Sequence, residues 1–185
     1  MKLRKMLLLA TMALAVVAFA APAAAQAEQH EFNEATESYE GRVDLEISSP
    51  APGRFSCEVT ISINAQGGTT AEVEEWTPTT SSCFGTGLFT GCLLREHTSS
   101  VPFTLHTTLS NDLRLTDSSE VQLHYFLEKC SFGISTLNVV TPEVEAFATP
   151  TTGPIEALSI SASFATGAIL YGTLYAEGGK SVELG

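Results

Sequence analysis

The sequence predicts an all-β fold of antiparallel strands, a β-sandwich or alternatively a closed β-barrel, preceded by a signal peptide helix. Three observations predict it. Apolar and polar residues alternate with a period of two from Gly41 onward, turn-forming residues punctuate the alternation roughly every 8–14 residues, and no amphipathic helix interrupts it.

The first 27 residues have the three parts of a secretory signal. Lys2, Arg4 and Lys5 form a positive n-region, and Met6 to Ala20 is an uncharged apolar run. A small-residue segment follows, with A-x-A cleavage sites ending at Ala25 and at Ala27. The apolar run is short of the ~20 residues a spanning helix needs, so cleavage is expected to leave no stable membrane anchor. A lipoprotein would carry a cysteine at the cleavage point, and the first cysteine is Cys57. The C-terminal residues 178–185 lack the apolar segment and basic tail of a wall-sorted protein. A secreted, extracytoplasmic protein is expected.

Residues 28–40 repeat Glu at 28, 31, 34, 37 and 40, with Phe32 and Tyr39 as the apolar exceptions. A period of three fits neither a buried helix face nor a strand, and the segment reads as an acidic flexible spacer. Residues 41–185 then form a single disulfide-bonded β-domain.

Within that domain Val43, Leu45 and Ile47 alternate with Arg42, Asp44 and Glu46. After the turn at Pro50-Ala51-Pro52-Gly53, Phe55, Cys57, Val59, Ile61 and Ile63 alternate with Ser56, Glu58, Thr60 and Ser62. The pattern recurs at Val101, Phe103 and Leu105, at Leu113 and Leu115, and at Val121, Leu123, Tyr125 and Leu127. Leu158, Ile160, Ala162 and Phe164 form another run, and 169–175 the last, where Gly172 would admit a close neighbour. Alternation of this kind describes strands with one face in the core and one in water, about nine to eleven of them here.

Four cysteines behind an export signal read as two disulfides. Zinc is disfavoured, because no C-x-x-C pair exists and the intervals are 25, 8 and 37 residues. Cys57 is in phase with the inward Phe55 and Val59, and Cys130 shares a face with Phe132 and Ile134. Cys83 and Cys92 flank a glycine-rich segment, Phe84 to Gly91, suited to a closed local loop. These phases favour Cys57–Cys130 with Cys83–Cys92.

The chain carries −12, and three of its nine basic residues lie in the signal, leaving six against 21 acidic ones, or −15. That field repels nucleic acid and anionic polymers, so those partners are disfavoured, while a protein or carbohydrate partner stays open.

No stretch of the chain carries a catalytic or ligand-binding signature. The histidines are His30, His97, His106 and His124. His106 and His124 both take outward strand positions, where a metal site with Glu120 would require neighbouring strands; two solvated side chains are the simpler reading. No G-x-S-x-G elbow is present. Glu72, Glu74 and Glu75 beside Trp76 suggest a carbohydrate subsite, yet a lone Trp in a small β-domain is ordinarily core. Asn111, Asp112 and Asp117 match no calcium loop. Gly85-Thr86-Gly87 lacks the Lys and the helix of a phosphate loop. No catalytic, cofactor-binding or metal-ligating residue is assigned, and no cofactor is expected.

The layout Phe55-Ser56-Cys57-Glu58-Val59, followed by Cys83 and Cys92 with Gly85, Gly87 and Gly91 between them, resembles uncharacterised secreted disulfide-containing β-proteins of high-GC Gram-positive bacteria. The resemblance implies export and disulfides over about Arg54 to Phe132, and no activity. The expected function is a secreted non-enzymatic binding or envelope-associated module. An extracytoplasmic hydrolase and a barrel-type carrier of a small ligand are the alternatives.

Overall fold

The computed structural model describes residues 30–48, 51–107, 112–150, 153–164 and 167–185, without the side chains of 112–120 and 141–143. The signal peptide, with Ala25 and Ala27, lies outside the described residues. The strands are β1 (Phe32–Ile47), β2 (Gly53–Gly68), β3 (Thr70–Pro78), β4 (Phe84–Gly87), β5 (Leu93–Ser99), β6 (Phe103–Thr107), β7 (Asp112–Glu128), β8 (Thr136–Thr149), β9 (Gly153–Pro154), β10 (Ala157–Ser163), β11 (Ala168–Ala176) and β12 (Glu183–Leu184). Short 3-10 turns at Thr80–Ser82 and Glu177–Gly179 are the helical elements among the described residues.

Every pairing is antiparallel, and β1, β2, β3, β6, β7, β8, β10 and β11 follow one another around a ring that closes where β1 meets both β2 and β11. The all-β expectation is therefore met. Of the two architectures that the periodicity allows, the pairing selects the closed barrel. Its opposed walls nevertheless meet as the layers of a sandwich do. Phe55 of β2 packs against Tyr125 of β7, ring centroids 6.3 Å apart, although those strands are not neighbours. The space left between Val43, Leu45, Phe55, Cys57, Val59, Tyr125 and Leu170 is about 10 Å³, so side chains fill this part of the lumen, as is usual for eight strands.

The alternation carries through into burial. Val43, Leu45, Phe55, Val59, Ile61, Ile63, Phe103, Leu105, Val121 and Leu123 are all buried. Arg42, Glu46, Glu58 and Thr60 are left on the outer face. Apolar inside and polar outside is the reverse of a barrel that faces lipid. Among the described residues no helix is long and apolar enough to cross a membrane.

Gly172 sits where β11 crowds β1: a Cβ there would stand 2.4 Å from the Arg42 carbonyl oxygen of β1. On the opposite strand a Cβ at Gly41 would stand 2.0 Å from the Thr173 carbonyl oxygen. Only glycine lets these two strands approach so closely.

Two expectations need correcting. Residues 32–40, read as part of a flexible spacer, belong to β1 and pair with β2. Phe32 and Tyr39 are buried, at 3 % and 0 % exposure. The Glu period of three misleads because residues 33–38 of this strand leave successive polar side chains exposed or half-buried while, within 32–40, only Phe32 and Tyr39 are buried.

The disulfides join Cys57 to Cys83 and Cys92 to Cys130, not Cys57 to Cys130 and Cys83 to Cys92. Register explains the pairing. Ser56 lies opposite Phe84 in the β2–β4 ladder, so the next position brings Cys57 against Cys83. Leu93 lies opposite Glu128 in the β5–β7 ladder, which brings Cys92 to Cys130 just past the strand end. Phase tells which face a cysteine occupies but not which strand lies beside it. The glycine-rich loop closes instead through backbone turns, with Leu88 N–H donating to the Pro52 carbonyl and Cys92 N–H to the Phe89 carbonyl. This turns Phe89 inward against Phe55, ring centroids 5.9 Å apart.

Candidate functional site, an apolar rim and slot

The residues considered for chemistry do not converge. His106 lies opposite Arg114 and Thr70, whereas His124 lies opposite Thr98 and Asn138, far along β7. The strands are neighbours, but the two histidines sit at different heights on them. His124 Nδ1 is 2.9 Å from the Asn138 side-chain oxygen. His30 Nδ1 is 2.6 Å from the Gly185 carbonyl oxygen. His97 faces Tyr125 across β5 and β7. Partial burial pulls its pKa below the ordinary histidine value, against the opposing effects of Glu96 and the Trp76 backbone.

Trp76 is 3 % exposed and belongs to the core, with its ring edge-on to Phe103. Glu72, Glu74 and Glu75 stay outside; Asn64 donates to Glu74 at 2.7 Å and Thr77 to Glu75 at 2.6 Å. The aromatic platform and the carboxylates of a sugar subsite therefore lie on opposite sides of the wall. The side chains of Asp112, Asp117 and Glu120, and Asn111 altogether, lie outside the described residues. Among those described, no three His, Cys, Asp or Glu side chains gather in a position to hold a metal ion.

Two polar arrangements escape a reading of sequence alone. On the outer face of β1 and β2, Asp44 and Ser56 are buried at 6 % and 0 % exposure, although strand phase points them outward. Arg54 covers Asp44 through a 2.5 Å ion pair and lies 5.9 Å from the Tyr171 ring centroid. Arg42 lies over the Phe84 ring at 5.1 Å and pairs with Glu58 at 3.1 Å. Nearby, a broad open depression is lined by Glu40, Arg42, Glu58, Tyr175 and Glu177. The Glu177 carboxyl, hydrogen-bonded to Glu40, raises the Glu40 pKa, and burial and the charges of Glu177 and Glu58 add to the rise.

The two ends of the barrel differ more sharply. At the Phe32 end the C-terminal segment forms a plug. β12 pairs with β9 and β1, Ile155 N–H donates to the Val182 carbonyl, and Val182 N–H donates to the Tyr39 hydroxyl at 3.0 Å. Ile155, Val182 and Leu184 are buried there, while Glu31, Glu34, Glu156, Glu177 and Glu183 ring that end in water.

At the Ile47 end the rim is rich in exposed apolar side chains, set beside Glu46, Glu96 and Glu128, which lie opposite Ile169, Phe126 and Leu93. Phe84, Leu93, Phe126, Phe132, Val140 and Ile169 are each at least 40 % exposed, and they come from successive positions around the circumference.

A slot opens through the same end. β8 pairs with β7 from Thr136 onward, but β10 pairs with β8 only over Glu145–Thr149. The early part of β8 thus stands apart from β10 and β11. Leu45, Ile47, Leu137, Val139, Val140, Phe164 and Ala168 line the gap, about 260 Å³, with Asn138 as its one polar lining residue. No pattern along the chain announces this slot, since it arises from unequal strand lengths on two sides of one gap.

A family model described as alkane oxidation protein activator PraA/PraB-like matches residues 1–169. No curated protein and no solved structure matches the chain.

Proposed function

The chain belongs to the PraA/PraB-like family of alkane oxidation protein activators, and from that premise we propose that it is an exported, non-catalytic accessory module that seats its apolar rim on a hydrocarbon–water interface. The observation that supports the reading is an asymmetry of the barrel: among the described residues six of the eight exposed large apolar side chains stand toward the Ile47 end, interleaved with Glu46, Glu96 and Glu128, whereas toward the Phe32 end exposed glutamates outnumber the exposed Phe147 and Tyr175. A rigid body of that kind lowers its free energy by placing one end in oil, at about 25 cal/mol per Å² of apolar surface removed from water. Its charge supports an uncharged oil in preference to an anionic bilayer, which would repel a body carrying −15 outside its signal. Export is supported by the three-part N-terminus, and both disulfides are compatible with an oxidising compartment. The envelope-associated reading reduces here to contact with hydrocarbon at the cell's exterior.

The test is the tension of a hexadecane drop in a solution of the purified protein. The protein should lower it, and the triple substitution Phe126→Ser, Phe132→Ser, Ile169→Ser should remove at least half of the effect without lowering the content of folded β-structure. No adsorption by the unsubstituted protein, or an unchanged triple variant, would overturn the proposal.

A further inference from the structure

We infer that the slot between β8 and the β10–β11 end holds the end of one unbranched, uncharged alkyl chain drawn from the interface on which the rim sits. The inference rests on the interfacial reading and adds to it a site with a shape. Four features support it.

The slot opens within the rim, since Val140 belongs to both and Ile169 follows the lining residue Ala168. A chain end leaving an oil phase therefore enters without crossing water. Its deeper lining, Leu45, Leu137, Val139 and Ala168, is buried and apolar, so a guest would meet side chains of its own chemistry. At about 260 Å³ it lies just below the ~300 Å³ at which pockets for drug-sized molecules begin, which suits part of a chain rather than a whole large ligand. No Lys, Arg, Asp, Glu or His is among the lining residues. A carboxylate or ammonium head would have to shed its hydration there without a partner, so charged amphiphiles are rejected head-first. Asn138, already tied to His124, stands as the polar edge where an uncharged chain or its hydroxyl-bearing end would meet water.

Burial of each further methylene is worth about a factor of four in affinity. That slope gives a readout distinct from surface adsorption. The water-soluble probes are 1-hexanol, 1-octanol and 1-decanol, titrated into the purified protein by calorimetry, with methyl NMR shifts of Leu45, Leu137, Val139 and Ala168 locating the site. Affinity should rise by about fourfold per methylene and level off once the slot is full. Ala168→Leu, which fills the slot, should weaken binding at least tenfold. Phe164→Ala, which enlarges it, should move the plateau to longer chains. Phe132→Ser, on the rim but outside the slot, should leave alkanol binding unchanged.

Absent binding, affinities independent of chain length, methyl shifts centred elsewhere, or indifference to both Ala168→Leu and Phe164→Ala would overturn the inference. Drop tension measured on the same variants separates it from the reading beneath it. Loss of alkanol binding with tension activity intact removes the slot and leaves the rim. Loss of tension activity in the unsubstituted protein removes the rim proposal itself.

Discussion

Trp76 donates its indole N–H to the hydroxyl of Tyr125 at 3.1 Å, joining β3 to β7 past the intervening β6. Both rings are buried, and burial pushes the Tyr125 pKa up to about 12 while the Trp76 hydrogen bond opposes the rise. Two polar atoms in a core are tolerated because each satisfies the other. Tyr125→Phe should leave the indole N–H unpaired and cost about 1–3 kcal/mol in denaturant unfolding. Trp76 is the single tryptophan, so its emission reports the change directly. An unaltered midpoint together with an unaltered emission maximum would refute the role assigned to this pair.

The disulfide register makes a prediction that a digest can read. Non-reducing peptide mapping should recover Cys57 linked to Cys83 and Cys92 linked to Cys130. Removing either by paired Ser substitution should destabilise the barrel by about 3.5–4 kcal/mol, since the closed loops, with separations of 26 and 38, are similar in length. Recovery of a Cys57–Cys130 peptide would refute the observed register.

Tyr39 secures the plug. It is fully buried, its pKa is raised to about 12 chiefly by burial, and its hydroxyl accepts the Val182 N–H. Tyr39→Phe should cost about 1–3 kcal/mol, because a buried N–H loses its acceptor. Amide hydrogen exchange should speed up at Val182 and leave β7 protected. Equal acceleration throughout the barrel would show that the plug is not a separate unit.

The pH response has two opposing parts. His97 has a folded pKa below its unfolded value, so the fold favours its neutral form. Its contribution to stability is full above about pH 6.5 and is lost as pH falls through the folded value. Glu40 has a folded pKa above its unfolded value, so its contribution is full below about pH 4 and is lost as pH rises. Glu40→Gln should therefore raise the melting temperature slightly at pH 7 and leave it unchanged at pH 3.5. His97→Gln should lessen the loss of stability between pH 7 and pH 5. Melting curves at these pH values check both, and a Glu40→Gln gain confined to low pH would reverse the assigned sign.

Legibility was uneven, and particular residues show why. The inward set of β2, from Phe55 to Ile63, follows from alternation alone, because a strand's period of two is a property of its own backbone. Tyr39 reads as part of a spacer because its partners, Val182 and β2, lie far away along the chain. Phase places Asp44 in water, whereas it is buried beneath Arg54, a side chain from the neighbouring strand.

By itself, the sequence determined the strand content, the inward faces, the charge and the use of all four cysteines in disulfides. Each of these depends on a residue's own chemistry or on its near neighbours. Only the tertiary structure decided ring closure, the Cys57–Cys83 and Cys92–Cys130 pairing, the buried cover over Asp44 and the slot beside Val139. These depend on which strands become neighbours and how far each one runs. The slot is the clearest case: it exists because β10 pairs with β8 only from Glu145 onward, a difference in length between strands that no single strand records.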